Sequence, residues 1–330
     1  MAVSFALLGA GKRAQQYVLA LKNLPGGTLS AICGQTRPLA ENLARRNGIA
    51  AYTDIRQMLT REKVNAAIVA TPDFTHGTLV PDLLTAGVHV LVEKPLAMTW
   101  TELQKVEAAL SHRSGLLLVL ANPYLYCVSL QQLLSSLKKE KKDALLSVEA
   151  EWNLPFSYPA RELRWSYMTS PMFHLLPPLI DFSIAIAGSF PQAVFATGSK
   201  GRLLRIGINT EDWVLVVLRF ANGPATVLRA GWTYAAGHPM AHRKKLAAIT
   251  HRSVLEVDLF RDCQTEPSIE ASQEKNYEVV LLRHMLADFI EKIGHPKDYY
   301  ETVYRTVKKA RLLLAIADAL EKRKSVTLNA

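Results

Sequence analysis

Lys94 is the side chain with the clearest chemical use in this 330-residue chain. It lies in Leu91-Val92-Glu93-Lys94-Pro95, at the end of a continuous apolar run that reads as a buried strand. An ammonium there can hydrogen-bond a reacting oxygen and stabilise charge that develops on it, or move a proton when desolvated. The competing use is structural, an ion pair with Glu93 or another carboxylate. Upstream, Gly9-Ala10-Gly11-Lys12-Arg13-Ala14 follows a second apolar run and opens a helical pattern. That is the context a G-x-G-x-x-G/A turn needs to hold a dinucleotide. Gly9 permits the tight turn, Gly11 lets the backbone approach a pyrophosphate, and Ala14 allows close helix-sheet packing. The helix N-terminus, at Lys12 and Arg13, offers N–H groups and positive dipole to the phosphates. Together the lysine and the turn point to hydride transfer.

Cofactor choice is set at the end of the second strand, where an acidic residue about 20 positions past the glycines binds the ribose of NAD. Cys33-Gly34-Gln35-Thr36-Arg37 stands there instead. Gly34 leaves room, Thr36 can donate a hydrogen bond and Arg37 can pair with a phosphate. NADP(H) is expected in preference to NAD(H). The alternative is that Arg37 stacks on the adenine or faces water.

The elements that must position these residues are short and unbroken in the first part. Val3 to Leu8, Leu29 to Cys33, Ala66 to Ala70, Val88 to Val92 and Leu116 to Leu120 read as buried strands, with helices at Ala14 to Leu24 and Leu79 to Ala86. This predicts an α/β fold with a doubly wound parallel sheet over residues 1–121, because parallel strands need crossovers that cover both faces. From residue 122 to 330 the runs lengthen and partly alternate. Leu145 to Trp152, Ala193 to Thr197, Trp213 to Phe220, Ala225 to Thr233 and Ser253 to Phe260 predict a second α/β domain on a large, open, mostly antiparallel sheet, with Asn222-Gly223 as a hairpin turn. Asn276 to Lys292 and Glu301 to Lys322 are helical by period, separated at Gly294-His295-Pro296. The last of these, 301–322, is expected to pack back on the first domain.

Composition narrows the remaining classes. The chain is 49% hydrophobic, enough for two real cores, and it has neither an apolar run of about 18 residues nor a signal-peptide start. A soluble, cytoplasmic protein is expected. The net charge of +10 is spread evenly along the chain, without a basic tail. The clusters Lys138-Lys139-Glu140-Lys141-Lys142 and Arg243-Lys244-Lys245 read as solvated surface, and no nucleic-acid or membrane partner is expected. Cys33, Cys127 and Cys263 are isolated and read as buried thiols. His238-Pro239-Met240-Ala241-His242 lacks an acidic ligand and is interrupted by proline, so no metal site is expected.

The chain resembles the Gfo/Idh/MocA oxidoreductases, the group of glucose-fructose oxidoreductase and inositol dehydrogenase. The resemblance is carried by Gly9-Ala10-Gly11, by Ala70-Thr71-Pro72-Asp73-Phe74-Thr75-His76, and by Ala86-Gly87-Val88-His89-Val90-Leu91-Val92-Glu93-Lys94-Pro95. The two terminal helices followed by Ser325-Val326-Thr327-Leu328 look like the family's closing segment. The resemblance implies an N-terminal Rossmann domain, a second domain that binds substrate and assembles as a homo-oligomer, dimer or tetramer, through its sheet, and Lys94 between nicotinamide and substrate. It also implies that Thr71, Pro72 and Glu93 belong to the cofactor pocket, with His76 either touching the cofactor or capping the next helix. Substrates in such a family are often sugars, polyols or their oxidised forms.

One departure stands out. The family's Asp and His, four residues apart on one helical face, fall on His174 and Pro178 here. Pro177-Pro178 suits a helix's first turn and not its interior, so a helix is expected to start there, leaving His174 on the preceding loop. His174 either supplies the proton from a shifted position or Lys94 works alone, on a carbonyl or on an imine or conjugated double bond. A third possibility is a regulatory protein that keeps dinucleotide binding without turnover. A family arginine is replaced at Asn122-Pro123-Tyr124, where Tyr124 either faces substrate or packs at the domain joint.

Overall fold

Strand β1 (Val3–Leu8) runs parallel to both β2 (Gly27–Cys33) and β4 (Ala66–Val69), and this arrangement sets up the first half of the chain. With β3 (Ala50–Tyr52), β5 (His89–Val92) and β6 (Leu118–Leu120) they form a parallel sheet in the order β3-β2-β1-β4-β5-β6. Ala66 to Val69 and Val90 to Val92 are wholly buried, as strands covered on both faces must be. The order reverses between β1 and β4, and in such sheets ligands bind outside the carboxyl ends of the strands at that switch. Gly9 follows β1, Thr71 follows β4, and Glu93 and Lys94 follow β5. The computed structural model describes residues 2–113, 115–139, 145–221, 223–262 and 276–328.

The crossovers are α1 (Lys12–Leu21), α2 (Arg37–Arg46), α3 (Ile55–Arg61), α4 (His76–Thr85) and α5 (Trp100–His112). Asp54 caps α3 by accepting from Gln57 N, and Thr99 with Glu102 forms a capping box on α5. The chain divides into two units, Met1–Pro123 with Glu274–Ala310, and Tyr124–Gln273 with Arg311–Ala330. The later part of the first unit supplies α9 (Tyr277–Ile293), which packs along α1. Phe289 meets Phe5 at 6.1 Å between ring centroids, and Arg283 donates to the carbonyls of Leu19 and Ala20 at the end of α1, where a cation suits the helix dipole.

The second unit is built on a seven-stranded sheet ordered β12-β11-β7-β10-β9-β8-β13. Its strands are β7 (Leu145–Pro155), β8 (Ala193–Ser199), β9 (Trp213–Arg219), β10 (Ala225–Tyr234), β11 (Lys244–Thr250), β12 (Val254–Asp258) and β13 (Val326–Thr327). Only β7 with β10 pairs parallel; the other neighbours are antiparallel. Along β7 the alternation is plain: Val148, Ala150 and Trp152 are buried and Glu149 is exposed. Helices α6 (Val128–Lys139), α7 (Pro171–His174) and α8 (Leu176–Ala187) accompany this sheet, with α8 against β7 and β10. Helix α10 (Tyr299–Lys322) belongs to the first unit up to Ala310 and to the second from Arg311.

Three strands escape the sequence reading, among them β13, only two residues long. β3 is three residues long, too short for a period, and β11 opens on two lysines that read as solvated surface. That reading of Lys244 is corrected: it is buried, at 5% exposure. Asn222 of the expected hairpin turn and Cys263 lie outside the described residues, while Cys33 and Cys127 are buried free thiols. Among the described residues no helix is long and apolar enough to cross a membrane.

Candidate active site

The two glycines of the turn differ in what they are for. Gly9 has φ +112°, and a Cβ there would lie 2.4 Å from the carbonyl oxygen of Ala70, so only glycine lets β1 and β4 end side by side. Gly11 has an ordinary φ of −80° at the N-cap of α1, and a Cβ on it would meet nothing within 4 Å. Neither conformation nor packing demands glycine at this position. The space left open over its backbone, at a helix end with no side-chain cap and no acid in its first turn, fits a dinucleotide pyrophosphate. Ala10 is part-buried and Lys12 exposed beside it, and Ala14 is fully buried as close helix packing requires.

At the end of β2, Gly34 would tolerate a Cβ at ordinary contact distance from Ala10 and Ala40. Thr36 caps α2 by position without a side-chain hydrogen bond, and α2 has no acid in its first turn. Arg37 is exposed and pairs with Glu41 at 3.3 Å. An exposed pair of this kind is worth less than about 1 kcal/mol, so the guanidinium can exchange it for a phosphate at little cost.

Arg13 does something the sequence did not show. Its Nε donates to Glu93 Oε1 at 2.6 Å, and the Tyr17 hydroxyl donates to the same oxygen at 2.7 Å. On its other side Arg13 donates to Gln16 at 3.0 Å and lies 3.6 Å from Glu278, to which Gln16 also donates. Arg13 and Glu93, both expected in the cofactor pocket, are thus bound to each other. Burial alone would raise the Glu93 carboxyl, but Arg13, then Lys94, and the bonds from Tyr17 and Arg13 hold it below the ordinary carboxylate range. Burial and then the Glu93 charge push the Tyr17 phenol well up.

Lys94 follows directly and is part-buried, with a cis bond to Pro95. Burial brings its ammonium below the ordinary lysine range, opposed first by Asp73 and then by Glu93. Asp73, 4% exposed, is the site residue that sequence reasoning passed over, although it stands inside the Thr-Pro segment. His76 is fully buried. Its Nδ1 lies 2.7 Å from the carbonyl of Pro95 and its Nε2 2.9 Å from the carbonyl of Thr71. With no exposed surface to offer a cofactor, it ties the loop after β4 to the loop after β5. Thr71 and Thr75 hydroxyls meet at 2.6 Å, and Thr75 donates to Pro72 O. The result is a fixed frame of Thr71, Pro72, Asp73 and Lys94 at the carboxyl ends of β4 and β5.

The second unit holds the other expected residues. Helix α8 begins at Leu176 with Pro177 and Pro178 in its first turn, as the prolines require. His174 lies on a separate one-turn helix, α7, rather than on a loop, because Ser170 caps Phe173 N and Pro171 starts the turn. It is 8% exposed, with Nε2 3.2 Å from the Tyr158 hydroxyl and its ring 6.3 Å from that of Trp232. Tyr124 is 5% exposed and packs edge-on against Trp152 at 5.6 Å. Lys244 Nζ sits 3.7 Å from the Tyr124 ring centre and 4.1 Å from that of Trp152. Among the described residues no cluster of three or more His, Cys, Asp or Glu could hold a metal ion. His238 and His242 stack instead on Tyr234 and Phe260.

The chain is similar to known proteins in part of its sequence and in its fold. Residues 3–120 match the Gfo/Idh/MocA profile, described as an oxidoreductase family with an NAD-binding Rossmann fold. The chain is 33% identical over 102 residues to 4-carboxy-2-hydroxymuconate-6-semialdehyde dehydrogenase of Sphingobium sp., a stretch covering 31% of this chain and 32% of that one. It is 25% identical over 227 residues to trans-1,2-dihydrobenzene-1,2-diol dehydrogenase of Sus scrofa, covering 68% of this chain and 66% of that one. The matched stretches therefore span about a third to two thirds of these relatives. In fold, the chain superposes on myo-inositol 2-dehydrogenase from Lactobacillus plantarum with TM-score 0.84, over 100% of both chains at 15% identity. The glycine turn, the Thr-Pro loop and the Glu-Lys-Pro lysine all lie in the matched region, and over residues 3–120 the chain is similar to the Rossmann domain of the Gfo/Idh/MocA oxidoreductase family.

Proposed function

We propose that this chain is an NADP(H)-dependent oxidoreductase acting on a carbonyl or alcohol carbon of a sugar-like small molecule, with Lys94 as its catalytic residue. The observation that carries the reading is Lys94 itself: part-buried, lowered by burial, and set beside Asp73 at the end of β5. The bound dinucleotide supplies or accepts the hydride. Lys94 holds a proton against the reacting oxygen during reduction and receives it back in the reverse direction. Gly9, Ala10, Gly11 and Lys12 would hold the pyrophosphate, Gly34, Thr36 and Arg37 the phosphorylated ribose, and Thr71 and Pro72 the nicotinamide end. Arg37, exposed and only loosely paired, favours NADP(H) over NAD(H). His174 is assigned to the substrate as a second proton-handling group, since its imidazole needs only hydrogen-bond reach. On this reading residues 1–121 serve the cofactor and residues 122–330 the substrate. Two copies would assemble through the outer face of the seven-stranded sheet, which carries Glu149, Arg229, Lys245 and Glu256 around Leu215 and Val227.

The test is NADPH and NADH oxidation against keto-sugars, aldehydes, cyclic imines and conjugated enones, beside binding titrations of both dinucleotides. Turnover of a keto-sugar or aldehyde with NADPH supports the reading. Turnover confined to imines or enones moves the substrate class, and binding without any turnover would favour a regulatory protein. Arg37→Ala should weaken NADPH about tenfold and leave NADH unchanged, the loss of one charge-assisted phosphate contact. Equal loss of both would sink the preference for NADP(H).

A further inference from the structure

The loop between β8 and β9 carries an arginine that has a ring for a partner and no acid. The guanidinium carbon of Arg202 lies 3.8 Å from the centre of the Phe156 ring. Both acids of the loop are already engaged. Asp212 spends its two carboxylate oxygens on the backbone, Oδ2 accepting from Arg202 N at 2.7 Å and Oδ1 from Leu203 N at 2.9 Å. Glu211 stands 3.8 Å from Lys200, which also donates to Asn209 at 2.9 Å. Among the described residues the Arg202 guanidinium has neither an ion pair nor a hydrogen bond. A guanidinium lying on a ring keeps its N–H donors in the plane, at the edge, where they match the oxygens of a carboxylate or phosphate. Asp212 fixes the backbone and the ring fixes the side chain, so little freedom remains to be lost when an anion arrives. We propose that Arg202, held on Phe156, is a specificity-determining residue that binds an oxyanion, a carboxylate or phosphate, carried by the substrate.

Phe156 joins this arginine to the segment that holds His174. Two positions on, the Tyr158 hydroxyl lies 3.2 Å from His174 Nε2, and Cα atoms two residues apart are separated by no more than about 7 Å. On its other side Phe156 N donates to the Tyr234 carbonyl at 2.8 Å, and Trp232 of the same strand, β10, has its ring 6.3 Å from that of His174. Near the far end of the Arg202 loop, the Thr210 hydroxyl donates to the Thr169 carbonyl at 2.9 Å. The loop is thus tied to the His174 segment at two places. The stretches 156–164 and 200–206 also hold Arg161, Arg164 and Arg205, all exposed, against a single acid, Glu162. Such a field gathers anions from solution, and Arg202 gives one of them a fixed contact. The inference rests on the proposed binding of substrate beside His174 and names its class, an acidic small molecule in place of a neutral one.

The test is equilibrium binding to the full chain with NADP+ present, followed by ligand-observed NMR at fixed ionic strength. The probes are glucose, glucuronate and glucose 6-phosphate, which share a ring and differ in charge. At least one acid should bind about tenfold more tightly than glucose, the worth of one bidentate charge-assisted contact, and which acid does so separates a carboxylate from a phosphate. Arg202→Gln should remove that preference, and Arg202→Lys, which keeps the charge and gives up the fork, should retain part of it. Phe156→Leu leaves the arginine in place without its ring and should reduce the preference severalfold. Arg205→Gln deletes an equal charge from the same loop and should change the preference by less than about twofold. No preference for either acid in the unaltered chain would overturn the proposal, as would equal losses in Arg202→Gln and Arg205→Gln, the mark of a diffuse field. Because binding is read directly, absence of turnover with every acceptor would defeat the proposed function and leave this result standing. Turnover of a neutral keto-sugar, with no preference for an acid, would do the reverse.

Discussion

Two lysines of the described residues, Lys94 and Lys244, stand in contrasting surroundings. Lys94 ends a parallel strand with carboxylates on either side of it, Asp73 from one loop and Glu93 from its own strand. Lys244 begins an antiparallel strand and is walled by rings, its Nζ 3.7 Å from the centre of Tyr124 and 4.1 Å from that of Trp152. Aromatic faces attract a cation through their quadrupole, at about 2 kcal/mol once desolvated, and have no proton to exchange. Carboxylates balance charge while leaving an amine that can give up and regain a proton. On the proposed function the same side chain is a reagent in one unit and a packing piece in the other. What separates them is the company the fold provides, with burial common to both.

The largest break in that comparison is at Lys94. Lys94→Ala should lower turnover by roughly 10² to 10⁴, the usual contribution of a positioned proton-handling group, with dinucleotide affinity and melting temperature near those of the unaltered chain. A stable variant with undiminished turnover would remove Lys94 from the chemistry. Lys244→Met keeps an apolar stem of similar length and should behave in the opposite way. Its expected cost is about 1–2 kcal/mol of stability in a urea melt, from the lost contacts with the two rings, with hydride transfer preserved in the fraction that is folded. Full stability with lost turnover would place Lys244 among the reacting groups and erase the distinction.

The two lysines also mark how far the sequence could be read. Lys94 was legible because its strand is a continuous apolar run and its motif lies beside a glycine turn, both local patterns. The partners that make it useful were not. Asp73 stands in plain view within Thr71-Pro72-Asp73, but its approach to Lys94 depends on β4 and β5 being neighbours, with Val69 paired to Val92. Tyr17 and Glu278 reach Glu93 and Arg13 only because α1 approaches the loop after β5 and α9 packs on α1. Lys244 misled for a related reason. Arg243-Lys244-Lys245 has the composition of a wetted surface, and the rings that shelter Lys244 sit on the opposite side of more than one intervening element in the sequence. The pairing Lys244 with Trp152 across β11 and β7 is what turns it inward. Period and composition report which way a segment faces on average, and they fail where one charged position is matched to distant neighbours.

Asp73→Asn offers the finest resolution of the comparison, because it changes the surroundings of Lys94 towards those of Lys244 without touching either lysine. The carboxylate favours the protonated amine more than any other charge near it, so its removal should lower the Lys94 pKa further. On the proposed function the protonated form is the active one for reduction, so activity should be retained below this pKa and lost as pH rises through it. The alkaline limb of kcat/KM should therefore begin at lower pH in Asp73→Asn than in the unaltered enzyme, while the plateau at lower pH changes little. Acetylation of Lys94 by acetic anhydride without cofactor, read by mass spectrometry, should shift the same way and become faster at a given pH. An alkaline limb that stays in place in Asp73→Asn, with labelling also unmoved, would mean that Asp73 only packs, and that Lys94 is set by burial alone.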